Sequence, residues 1–180
     1  MKTRILRNTS ALLAITFLAA SCIEVDDVEE AWGNAKPDPE LLGEWVGDND
    51  ARCAFIKTEK DYHVTSGTNG LEGCSKSIET NGHKFVIVVD LGTALMGFDK
   101  ADEDGKSGTL LRYKVDGDKM IMYSLDGEVI TEAVKAGKVP GEIDEEGDGS
   151  LTVLDAKTIK WLGEVAEGKG WSENIYRKVK

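Results

Sequence analysis

From residue 41 onward the chain breaks into short runs, alternating in polarity or apolar throughout, that Gly, Asn and Asp separate at near-regular spacing. ARCAFIKT, KDYHVTS, KFVIVVDLG, TALMGF, TLLRYKV, KMIMYSL, SLTVL and ENIYRKV each read as a strand of about four to eight residues. Strands this short and this regularly punctuated close into an antiparallel barrel or bend into a strongly curved sheet. KFVIVV is apolar on both faces, which suits a central strand. Asp116-Gly117 is a favoured pair for a tight hairpin turn, and it sets Tyr113 opposite Met120 and Leu111 opposite Met122. Leu111, Tyr113, Val115, Met120 and Met122 then share one face. Two helices interrupt the strands. GEVITEAVKAG spaces Val129, Ile130, Ala133, Val134 and Ala136 helically and stops at Gly137, while AKTIKWLGEVAEG starts behind Asp155 as N-cap.

The first forty residues read differently. Lys2, Arg4 and Arg7 precede the apolar run ALLAITFLAA, and small residues end it at Ser21-Cys22, the pattern of a secretory signal over residues 1–21. Ala11 to Ala20 is too short to cross a bilayer, which takes about 20 residues. LAASC, Leu18 to Cys22, resembles the lipobox of bacterial lipoproteins, although Ala19 stands where a larger aliphatic residue is usual. The resemblance implies cleavage before Cys22 and acylation of that cysteine, palmitate included. Residues 22–40, IEVDDVEEAWGNAKPDP after the cysteine, read as an acidic tether, leaving 41–180 as the folded domain. Ile23 behind the cysteine is not the Asp of the family's inner-membrane retention signal, so the implied address is the periplasmic side of an outer membrane.

Charge narrows the partners. The full chain carries a formal charge of −11, and removing residues 1–21 removes three bases and no acid. Nucleic acid repels such a chain, as do anionic lipid surfaces, so membrane attachment is expected through the lipid alone. Export also bears on the cysteines. With Cys22 acylated, Cys53 and Cys74 remain, and an exported pair is most simply a disulfide closing a loop of about 21 residues, worth about 3 kcal/mol.

PELLGEWVG, with Gly43-x-Trp45, resembles the opening of lipocalin-like domains. In that family the Trp plugs the closed end of the barrel and an Arg from a late segment lies across it, which points to Arg177. The expected fold is therefore mainly β, an antiparallel lipocalin-like barrel or half-barrel of about eight short strands with two short helices. A wider resemblance, from about Trp32 to the end, is to a group of bacterial lipoproteins of planctomycete-like genomes; it implies fold and address and carries no activity.

Chemistry is sparsely marked. DEEGDGSLTVLD resembles a calcium loop in placing Asp144, Glu146, Asp148 and Asp155 at its first, third, fifth and twelfth positions. Val139-Pro140-Gly141 breaks the helix that such a loop needs in front of it, so no metal site and no cofactor is expected, and Asp155 is better used as a helix cap. His63 reads as an exposed strand residue and His83 as a turn residue. No nucleophile elbow, phosphate loop, dinucleotide turn or zinc-protease motif occurs, and no enzyme activity is expected. Phe85, Met96, Phe98, Leu111, Tyr113, Met120 and Met122 are candidates to line an apolar cavity in the barrel. The leading expectation is non-catalytic binding of a small apolar ligand or an envelope partner; the alternative is a solid-cored structural or interaction role.

Overall fold

The computed structural model describes residues 23–48, 50–67, 72–98, 106–166, 168 and 170–180, so the signal segment and Cys22 lie outside the described residues. The elements in chain order are β1 (Ile23–Asp27), α1 (Glu29–Asn34), a 3-10 turn (Pro39–Leu41), β2 (Gly43–Gly47), β3 (Arg52–Lys57), β4 (His63–Gly67), β5 (Gly73–Thr80) and β6 (His83–Val89). They continue with α2 (Leu91–Met96), β7 (Gly108–Asp116), β8 (Lys119–Leu125), α3 (Gly127–Lys135), β9 (Gly141–Ile143), β10 (Gly149–Val153), α4 (Ala156–Val165) and β11 (Trp171–Lys178).

Strands β2 to β8 follow one another antiparallel, β6 pairs with β7, and β11 closes the ring between β8 and β2. The result is a closed eight-stranded antiparallel barrel. Because side chains alternate along a strand, each barrel strand feeds two cores. Inside the barrel pack Leu41, Trp45, Cys53, Phe55, Val86, Val88, Leu111, Tyr113, Met120, Met122 and Tyr176. Phe85, Ile87 and Val89, the outward residues of β6, instead meet Ile23, Val25, Trp32, Leu151, Trp161 and Leu162 of an outer layer. That layer consists of β1, β10 and β9 with α1, α3 and α4. Both expected helices form: Asp155 caps α4 as expected, accepting from the Thr158 amide at 2.7 Å, and α3 has Asp126 as its cap, accepting from the Glu128 amide at 3.0 Å.

The lower end of the barrel is plugged. Trp45 is fully buried, and its indole Nε1 donates to the Leu41 carbonyl at 2.7 Å, tying the 3-10 turn beneath β2. Arg177 does not lie across this ring. Lys178 is the direct cross-strand partner of Trp45, and its Nζ sits 5.1 Å from the ring centroid. The one-residue offset is decisive in a strand, since it turns Arg177 outward, where it is exposed.

Residues 23–40 are not a tether. β1 is paired on both sides, antiparallel to β7 through Ile23–Leu110 and parallel to β10 through Val25–Leu151. Ile23, Val25, Val28, Ala31 and Trp32 are all buried. Burying one such aliphatic side chain stabilises by about 1.5–3 kcal/mol, which offsets the roughly 1–2 kcal/mol of backbone entropy lost per ordered residue. TALMGF is helical rather than extended, because Asp90 accepts from the Gly92 amide at 2.6 Å and starts α2. The β7–β8 turn is Gly117-Asp118, with Gly117 at φ 62, so Tyr113 faces Met122 and Val115 faces Met120. That shift of two preserves the face. His63 is buried inside the barrel rather than exposed, because Lys57 and Ser75 flank it on the inward rows.

In urea melts Trp45→Ala and Trp32→Ala should each lose about 3–5 kcal/mol, as large buried rings do. Arg177→Ala should stay within about 0.5 kcal/mol of wild type. A Trp32 variant as stable as the Arg177 variant would contradict the packing of α1.

Candidate functional site

Below β4, the lower half of β5 has a new neighbour. Residues 35–42 form a strap in which Lys36 and Ser77 exchange both backbone bonds, at 3.0 and 2.7 Å, before the chain crosses under the barrel. Pro37 and Pro39 hold the residues before them, Lys36 and Asp38, extended. Between them Asp38 caps the 3-10 turn by accepting from the Glu40 amide at 2.9 Å.

Asp38 is also the hub of a polar cluster. Its Oδ2 accepts from the Tyr113 hydroxyl at 2.6 Å and from Lys84 Nζ at 2.8 Å. Lys84 Nζ donates as well to Glu40 Oε2 at 2.8 Å, and Ser77 Oγ lies 2.9 Å from the Tyr113 oxygen. Burial alone would raise the Asp38 carboxyl, but the hydrogen bonds from Lys84, Tyr113 and the Glu40 amide outweigh it and hold the group below the ordinary range. Its hydrogen bonds to the Asp38 and Glu40 carboxylates push Lys84 up to about 12. Burial, then the Asp38 acceptor, raises the Tyr113 phenol, so it remains a neutral donor at physiological pH.

A cavity of about 510 Å³ opens beside this cluster, between the strap, lower β5 and α4. Pro37, Pro39, Ile78 and Ile159 give it apolar walls, while Asp38, Lys84 and Tyr113 converge on it. Its charged lining residues, Lys36 and Lys84 against Asp38 and Glu79, balance formally. The size and the few converging polar groups match a small-molecule site.

The expected barrel lining is split by the wall. Leu111, Tyr113, Met120 and Met122 do face inward, but all four are at most 3% exposed in a packed cluster with Trp45 and Phe55. Phe85 and Phe98 belong to the outer layer, and the Met96 side chain lies outside the described residues. Of the expected lining, only Tyr113 reaches the cavity at the foot. Asp38, Ser77, Ile78, Lys84 and Ile159 were not foreseen, and the one local signal was PDPE, an Asp placed to cap a turn entered through Pro39.

Cys53 and Cys74 do not form a disulfide; both are free and buried. β4 separates them, which puts their strands about 9–10 Å apart, and they belong to opposite faces of the wall. Burial raises both thiols, Cys53 to about 12, which makes a poor nucleophile. The stretch 144–155 is likewise put to structural use. Asp144 Oδ1 accepts from the Glu146 and Asp148 amides at 2.9 and 2.8 Å to shape the β9–β10 turn, and Asp155 caps α4. Among the described residues no group of three or more His, Cys, Asp or Glu is placed to hold a metal ion. His83 lies 3.3 Å from Arg112 on the outer wall, away from the cavity.

No family model, no curated protein and no solved structure matches the chain.

Asp38→Asn should loosen the strap and cost about 1.5–3 kcal/mol, the range for a hydrogen bond to a charged group. Because the folded carboxyl sits below its unfolded value, its contribution is complete above the ordinary carboxylate range and is lost as pH falls through the folded value. The wild-type minus Asp38→Asn stability difference should therefore be flat from pH 5 to 8 and shrink below about pH 4. The thiols supply a second check. Native protein should react with a thiol reagent slowly at both Cys53 and Cys74, and denatured, unreduced protein should react at both; a linked 53–74 peptide would overturn the separation of the two faces.

Proposed function

We propose that the chain is an exported, lipid-anchored envelope protein that binds a small amphipathic ligand without catalysis, and that its ligand site is the cavity at the barrel foot. One observation carries the site: buried Tyr113, hydrogen-bonded to an Asp38 that Lys84 also holds, meets apolar walls around about 510 Å³ of space. The chemistry is that of recognition. Neutral Tyr113, ionised Asp38 and protonated Lys84 already satisfy one another, so the cluster offers a fixed pattern of donors and acceptors with no group poised to accept a substrate proton. A neutral molecule with an apolar body and hydroxyl or amide groups fits the balanced charge of the lining better than an ion.

The anchor rests on LAASC and the basic, apolar run before it, and the outer-membrane address on Ile23 after Cys22. The resemblance to lipoproteins of planctomycete-like genomes agrees with both. A second reading, a solid-cored interaction protein, is favoured by the close packing inside the barrel. In that reading the Asp38 cluster serves only to fasten the strap.

Metabolic labelling with a palmitate analogue should mark the wild type and not Cys22→Ala. Native mass spectrometry of the mature protein should reveal a copurifying molecule that Tyr113→Phe, which keeps the ring, no longer retains. Bare protein in both cases, with wild-type stability retained by Tyr113→Phe, would leave only the interaction reading.

A further inference from the structure

Among the described residues the outer layer covers one side of the barrel and leaves another half-exposed. Outward residues of β7, β8 and β11 form cross-strand rows: Arg112 beside Tyr123 beside Glu173, then Lys114 beside Ile121 beside Ile175, then Asp116 beside Lys119 beside Arg177. Tyr123, Ile121 and Ile175 thus make a half-exposed apolar centre. Four bases and two acids surround it, on a chain whose formal charge is −11. Lys114, Lys119 and Arg177 form no ion pair among the described residues. Acids return at the rim, with Asp118 in the hairpin turn and Glu44 on β2.

Ile23, the first described residue, adjoins this face. β1 holds one edge of β7 as far as the Ile23–Leu110 pair, and β8 takes over that edge at Arg112–Tyr123. Whatever precedes Ile23 therefore joins the domain next to the first row of the face. Ile23 is itself buried, so no flexible linker follows Cys22.

We propose that the outer face of β7, β8 and β11 lies on a lipid surface bearing anionic headgroups. This deepens the lipid-anchored reading and rests on it for the address. Arg112 already shows the habit of an interfacial cation. Its guanidinium donates to the Ala166 carbonyl at the end of α4 and stacks 4.3 Å from the Tyr123 ring centroid and 5.4 Å from that of Trp171. Aromatic and aliphatic groups ringed by long basic side chains suit the headgroup boundary, where stems enter the apolar layer and charges stay with the phosphates. The overall negative charge does not oppose this contact, because charges more than about 8–10 Å away are screened while Lys114, Lys119 and Arg177 act within that distance.

The test uses mature protein purified in detergent and reconstituted into vesicles, with Tyr123→Trp as a reporter in the centre of the face. Its added emission should be quenched by doxyl-labelled lipid in phosphatidylglycerol vesicles and much less in phosphatidylcholine. Lys114→Glu with Arg177→Glu should lower that quenching about tenfold, as should high salt. Emission that is unquenched, or quenched equally in the charge-reversed protein, overturns the proposal. So does a dimer in sedimentation velocity that buries the reporter without lipid, since the face would then join two copies. The mass of the N-terminal peptide reads acylation separately. An unacylated protein that still shows charge-dependent quenching would remove the anchor and keep the face.

Discussion

Strand β6 is buried on both sides, and the molecule is arranged around that constraint. Val86 and Val88 enter the barrel, while Phe85, Ile87 and Val89 need cover outside it. A barrel wall that is apolar on both faces cannot meet water, so an outer layer has to form wherever such a wall occurs. α3, α4 and the β1–β10–β9 sheet supply it, and α1 completes it. Where the outward residues turn charged, at Arg112, Lys114 and Lys119, the cover ends. The alternation along each strand thus decides which outer surface is core and which is left for contact.

The barrel was legible in the sequence because its strands carry the period that betrays them. KFVIVV, TLLRYKV, KMIMYSL and the helix cap Asp155 behave as their patterns require. β1 was hidden by its composition. IEVDD alternates correctly, with Ile23 and Val25 inward, but five residues with three acids look like a linker unless the strands that receive them are known. GCSKSIET carries no strand signal for the opposite reason. Its inward residues are serines, and they suit a barrel interior only because Ser75 meets Thr65 at 2.6 Å and Ser77 meets Tyr113. Such partners are far away in sequence, so no local pattern announces them.

The same limit explains the site. Tyr113 is visible as an inward strand residue, but what makes it a donor on a cavity is Asp38, 75 positions earlier. The exchange of Arg177 for Lys178 has a different origin. A motif names a residue type in a region, whereas register names the face, and one step along β11 separates a plug from an exposed side chain.

An eight-stranded barrel is just wide enough for its own side chains to fill. Here Trp45, Phe55, Tyr113 and Tyr176 all point inward with Met120 and Met122 between them, so the lower interior is taken up by the protein itself. A ligand held inside would have to displace rings that also plug the lower end, and each large side chain moved out of a packed core costs several kcal/mol. Sites that can be occupied without that cost lie where the regular wall is interrupted. The foot is such a place: β4 has ended, the strap has replaced it along β5, and Pro37 and Pro39 leave neighbouring positions unable to close the gap with ladder bonds. The irregularity that admits a cavity also calls for the Asp38–Tyr113–Lys84 cluster, because a strap bridged to the sheet at Lys36–Ser77 and not beyond it must be fastened by side chains. In this chain the fastening of the fold and the polar face of the foot cavity are therefore the same three residues.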